Sequence, residues 1–208
     1  MSELNQALVD IRAIRRQVAE ATEFHGYGPL TLLGTAVCAM VAGAAQGYWV
    51  PEPAKHPGLY VELWLATGVV SAVLIVMQML TRANRLHSGM ADEMIRMAVA
   101  QFLPAAITGL ILPFVLLRAA PGAMWMMPGL WQIIFGLGVF ASCRCLPRAM
   151  YLTGAWFLLT GLVCLALGDA RALSPMGMAA PYAAGMALVA AIHHFSQKEA
   201  QADENEEL

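Results

Sequence analysis

Residues 97–117 read MAVAQFLPAAITGLILPFVLL, a run of twenty-one positions without a single Asp, Glu, Lys or Arg. Helices of water-soluble domains carry a charged face. This run is apolar all round, and at 1.5 Å per residue it matches a hydrocarbon core ~30 Å thick. It predicts a transmembrane helix. Pro104 and Pro113 interrupt it on either side of Gly109. Each proline lacks an N–H and frees a carbonyl one turn earlier, near Ala100 and Gly109; at membrane depth such breaks either kink a helix or line a cavity.

On both sides of this run the pattern repeats, with apolar stretches of bilayer length at 30–50, 60–81, 125–143, 149–168 and 176–195. Charged residues make up 12% of the chain, about half of the ~25% usual in soluble domains. The expected fold class is all-α: a polytopic membrane helix bundle of about six transmembrane helices over residues 29–195. A cytoplasmic amphipathic helix and turn over 1–28 precede it, and an acidic, disordered tail over 196–208 follows. The net charge of −2 and the lack of a Lys/Arg cluster exclude a nucleic-acid partner. The lipid bilayer is the expected partner.

Six spans put both termini on one side. That side collects Arg12, Arg15, Arg16, Arg82, Arg85, Arg96, Arg144, Arg148 and Lys198, against Lys55, Arg118 and Arg171 on the other. The positive-inside rule then makes both termini cytoplasmic. Tyr48, Trp49, Tyr60, Trp64 and Trp125 fall where an interfacial aromatic belt is expected on the outer face.

Before the first span, Leu4, Ala7, Ile11, Ile14, Val18 and Ala21 recur at alternating steps of three and four, and the next position in that register is His25. Residues 3–25 thus form an amphipathic helix whose apolar stripe needs a partner: a second copy, another protein, the bundle's own cytoplasmic end or lipid headgroups. Gly26, Gly28 and Pro29, in FHGYGP at 24–29, read as a helix stop, a turn and a helix start.

His25 is either the last residue of that helix or a ligand. His87, His193, His194, Cys143 and Cys145 fall on the same side of the membrane, and imidazole and thiolate suit haem iron or a transition metal. No haem-attachment or zinc-protease motif accompanies them, so the expectation is no cofactor, with haem or a metal at these residues as the alternative. Cys38 and Cys164, inside spans, read as small packing residues.

Between the interfaces no Asp, Glu, Lys or Arg occurs, which speaks against proton-coupled pumping. Glu62 is placed in the first turn of the second span, near water. The interior polar set of Gln46, Gln78, Gln101, Gln132, Thr67, Thr108 and Thr160 either ties helices together or contacts a solute. A permease would use Gln101, Gln132, Thr108 and Glu62, near Pro104 and Pro113. Gly43 and Gly47, and Gly154, Gly161 and Gly168 at seven-residue spacing, predict close helix–helix faces.

MPGLWQIIFGLGVF at 127–140, LPRAMYLTGAWFLLTGLVCLAL at 146–167 and DIRAIRRQVAEATEF at 10–24 together resemble a group of small bacterial inner-membrane proteins that have an amphipathic opening and about six spans. The resemblance implies topology and a bacterial plasma-membrane location, and carries no activity. No enzyme constellation is present: no nucleophile elbow, phosphate loop or carboxylate pair within a span. The leading expectation is a non-enzymatic regulatory, sensory or assembly component acting through residues 3–25, as a homodimer or with a protein partner. A small-solute permease is the second expectation and a haem or metal protein the third.

Overall fold

The computed structural model describes the backbone of residues 29–86, 89–143 and 150–206, with side chains described throughout these except at 29, 30, 79, 80, 82–95 and 193–206. The amphipathic helix expected over 3–25 lies outside the described residues. Those described form six α-helices and no strand: α1 (Pro29–Trp49), α2 (Pro57–Leu86), α3 (Gly89–Ala119), α4 (Met127–Ser142), α5 (Met150–Ala166) and α6 (Pro175–Glu206). Two 3-10 turns, Pro121–Met126 and Ala170–Leu173, lead into α4 and α6. The chain is a multi-pass membrane protein: among the described residues five helical stretches are long and apolar enough to cross a bilayer, and the described part of α5 spans 17 residues.

Proline sets most of the boundaries. α1 stops before Pro51 and Pro53; α2, α4 and α6 have Pro57, Pro128 and Pro175 in their first turn, where the missing N–H would have no intrahelical partner. Ser174 caps α6 by accepting the Gly177 N–H at 3.2 Å. α5 ends differently. Gly168 takes a positive φ of 69°, and its N–H donates to the Leu165 carbonyl at 3.1 Å, the left-handed helix stop that glycine adopts at no steric cost. Gly168 is therefore a terminator and not the third member of the expected packing face.

The helices run up and down in a ring in which each packs on its chain neighbours and α1 closes the circle against α6. α1 on α6 and α4 on α5 are the most extensive contacts. The α4–α5 contact is made by glycines on both sides. A Cβ on Gly129 would meet the Gly161 carbonyl at 2.7 Å, one on Gly161 the Gly129 carbonyl at 2.7 Å, and one on Gly136 the Gly154 carbonyl at 2.9 Å. No other residue lets backbones approach so closely. The Gly43 face of α1 is likewise internal: its Cβ would meet that of Ala179 on α6 at 2.6 Å.

Two apolar clusters divide the bundle by height. Val50, Tyr60, Trp64, Met127, Trp131 and Leu173 fill the end where α1 joins α2, called distal below. Leu32, Val139, Cys143, Met150, Met186 and Val189 fill the end where α1 begins, called terminal below. Tyr48 and Trp49 are exposed, as a belt requires, but Tyr60 and Trp64 are core residues. Tyr60, Val61 and Trp64 share one helix face, and that face meets the core. α2 begins at Pro57, three residues before the apolar run, which places Glu62, exposed, in the second helical turn. α6 continues as helix to Glu206, through the segment expected as disordered tail. Its Gln, Lys, Glu and Ala residues favour helix when a preceding span has already nucleated it.

Buried polar side chains tie these elements together. Gln46 on α1 accepts from the Trp64 indole N–H of α2 at 2.8 Å and donates to the Leu173 carbonyl at 2.7 Å. On α4, the adjacent Trp131 and Gln132 each reach a broken helix. The Trp131 indole donates to the Gly109 carbonyl at 2.8 Å, and the Gln132 amide donates to the Gly177 carbonyl at 2.8 Å. Gly109 lies four residues before Pro113, and Gly177 four before Pro181. Two neighbouring side chains, pointing ~100° apart on their helix, thus satisfy the carbonyls that Pro113 in α3 and Pro181 in α6 release.

Candidate functional site

α2 is attached unevenly. Its distal turns hold Tyr60, Val61 and Trp64 in the core, but from Val69 to Met77 no side chain is buried. Between that half of α2 and the rest of the ring lies a cleft of about 570 Å³, lined by residues from all six helices. This volume falls within the ~300–1,000 Å³ typical of small-molecule sites. Its floor is an aromatic group from four helices. Phe135 packs edge-on against Phe102 at 5.5 Å, Phe157 at 4.7 Å and Tyr182 at 5.6 Å between ring centroids, and Phe102, Phe135 and Tyr182 face the cleft.

The cleft is open at its side. Val69 and Leu103 line it from α2 and α3 yet are 56% and 50% exposed, so the gap between these two helices communicates with the space that lipid occupies. Trp64 and Trp131 close its distal end. At the terminal end the lining includes the hydroxyl residues Thr35, Ser142 and Thr153. Thr35 and Ser142 donate to backbone carbonyls, of Leu32 at 2.8 Å and of Gly138 at 3.0 Å. The Thr153 hydroxyl is buried and has no partner. Everything else in the wall is aliphatic or aromatic apart from Thr67, Ser71 and the Tyr182 ring's hydroxyl.

No protein-family model, curated protein or solved structure matches the chain.

The residues that a permease would use are not brought to this cleft: Gln101, Gln132, Thr108 and Glu62 are all absent from its lining. Thr108 is exposed and its hydroxyl donates to the Pro104 carbonyl at 2.8 Å. Gln132 is fully buried with its amide on Gly177 and within 3.9 Å of the Cys164 sulfur. Gln101 is half-buried, its side-chain oxygen without a partner.

Of the ligand candidates, His25, His87 and Cys145 lie outside the described residues. His193 and His194 are placed on α6 beyond Ile192, with side chains not described. Cys143 is buried at the end of α4 among Val139 and Met150. Among the described residues no three His, Cys, Asp or Glu side chains are grouped to hold a metal.

Sequence reasoning missed the cleft. Its lining residues are the same Val, Leu, Ala and Phe found on lipid-facing surfaces, so nothing in their identity separates a wall from an exterior. The Gln132 contact was open to inference: Pro181 frees the Gly177 carbonyl inside an apolar span, and something polar has to take it.

Proposed function

We propose that the protein is a non-enzymatic membrane component that holds the hydrocarbon chain of an amphipathic molecule in the cleft between α2 and the rest of the bundle. In this reading it sits in a bacterial plasma membrane with both termini cytoplasmic, and residues 3–25 pass the state of the cleft to a partner or to a second copy. The observation that carries the reading is an apolar cleft, lined from all six helices and open at its side between α2 and α3. A hydrocarbon chain is the ligand chemistry such a wall recognises, by burial alone at ~25 cal/mol per Å². The regulatory role draws support from connectivity, because Leu32, which lines the cleft, stands one turn into α1, close in sequence to residues 3–25.

The test is to fill the cleft. Gly68 lines it from α2, and a Cβ there would meet nothing within 4 Å; Ala72, one turn on, also lines it and is exposed. Protein purified in mild detergent is extracted, and its apolar molecules are quantified by mass spectrometry. Wild type is expected to retain about one chain-bearing molecule per protein, and Gly68→Phe/Ala72→Phe to lose it at unchanged thermal stability. Equal retention by both proteins sinks the reading.

A further inference from the structure

Resting on that reading, we infer that the occupant is an anionic phospholipid of the surrounding bilayer, with one acyl chain in the cleft and its headgroup at the terminal ends of α2 and α3. Three observations point there. First, the cleft opens sideways between α2 and α3, so a lipid enters from its own leaflet without leaving the membrane.

Second, the cleft is unequal along its length. Tryptophans close the distal end, whereas Thr35, Ser142 and Thr153 stand at the terminal end. Thr153, 1% exposed, has a hydroxyl with no partner; a glycerol-ester carbonyl supplies the acceptor such a group lacks. The chain end of the ligand therefore points distally and its ester region terminally.

Third, α2 and α3 continue as helices past their apolar runs, which end near residue 81 and begin near residue 97. These extensions carry Arg82 and Arg85 on α2, and Arg96 stands two residues before Ala98, which lines the cleft. Arg96 is exposed. Asp92 and Glu93 precede it by a turn of α3. Arg96 thus stands two residues from the cleft wall, and Arg82 and Arg85 lie on the helical extension of α2. Guanidinium groups bind phosphate through paired hydrogen bonds, and each basic residue near an anionic surface adds ~1 kcal/mol. A zwitterionic headgroup gains less, because its own ammonium opposes the field.

Tryptophan fluorescence distinguishes the outcomes, because Trp64 and Trp131 line the cleft. Protein is reconstituted in lipid nanodiscs of phosphatidylcholine containing a small fraction of one brominated lipid, whose acyl bromines quench nearby indoles. Quenching is read as the difference between wild type and Gly68→Phe/Ala72→Phe. Brominated phosphatidylglycerol is expected to quench at several-fold lower mole fraction than brominated phosphatidylcholine. The variant Arg82→Gln/Arg85→Gln/Arg96→Gln is expected to bring the two lipids together without abolishing quenching.

Equal potency of the two lipids on wild type overturns the anionic-headgroup assignment and leaves the cleft reading standing. Greater potency of a brominated free fatty acid than of either phospholipid overturns the phospholipid source. If no lipid distinguishes wild type from the cleft-filled protein, the cleft holds no chain and both readings fall.

Discussion

The α4–α5 pair and helix α2 are made of the same material and held in opposite ways. Both are strongly apolar, and both expose valine and leucine along one side. Yet α4 and α5 approach until glycine backbones touch carbonyls, whereas α2 is anchored by its distal turns and stands off from the ring over the other half. In a bilayer the hydrophobic effect does not press helices together, because lipid tails are as apolar as leucine. Apolarity decides that a helix enters the membrane. Small residues and a few hydrogen bonds decide which neighbour it keeps.

This contrast can be broken first on its tight side. Gly161→Leu places a side chain where even a Cβ would stand 2.7 Å from the Gly129 carbonyl and from Ile133. The expected loss is about 3 kcal/mol or more, seen as a large fall in the detergent melting temperature or as protein that no longer purifies as a single species. A melting temperature within error of wild type would mean that the close α4–α5 contact is not what holds this pair.

The loose side is sharpened by a polar tether. Gln46→Leu keeps the volume but leaves the Trp64 N–H and the Leu173 carbonyl without partners, at an expected cost of about 2 kcal/mol. The loss concentrates on α2. Hydrogen exchange should rise over residues 57–65 while residues 127–142 keep their protection, and uniform loosening of the whole bundle would contradict the uneven attachment of α2.

The smallest effect lies in the turn that returns α5 to α6. Arg171 donates from its side chain and its backbone N–H to the Asp169 carboxylate, which holds that carboxyl below its ordinary pKa, chiefly through the side-chain hydrogen bond. A lowered folded-state pKa contributes stability above the ordinary carboxylate value of ~4 and loses it as pH falls through the folded value. Both groups face solvent. Asp169→Asn should therefore lower the melting temperature only slightly at neutral pH, and the difference from wild type should vanish once acid protonates the Asp169 carboxyl. A difference that persists in acid would show that the pair is not its cause.

Topology was legible in the sequence because it rests on summed properties. A run such as 97–117 is apolar whichever neighbour it meets, and proline punctuation marks most boundaries to within a few residues. The glycine faces were legible too, since Gly154 and Gly161 leave a surface that only a close neighbour fills, whereas Gly168, at the same spacing, is used for its backbone conformation. The cleft was not legible. Whether Val69 faces lipid, a partner helix or a cavity depends on the tilt of α2 relative to α1, which is set by Gln46, Trp64 and Tyr60 at the far end of the helix. The residues of the permease expectation lie outside the cleft lining: Gln132, the most buried of them, is occupied with the Gly177 carbonyl, and the Gly109 carbonyl, freed by Pro113, is occupied by Trp131.

The adjacent Trp131 and Gln132 give α4 a mechanical role. Their side chains hold the Gly109 carbonyl of α3 and the Gly177 carbonyl of α6, and at membrane depth neither carbonyl finds water in exchange. A rotation of α4 about its own axis therefore strains both hydrogen bonds at once. The helix acts as a rotational lock, fixing the angular position of two proline-broken neighbours from a single turn.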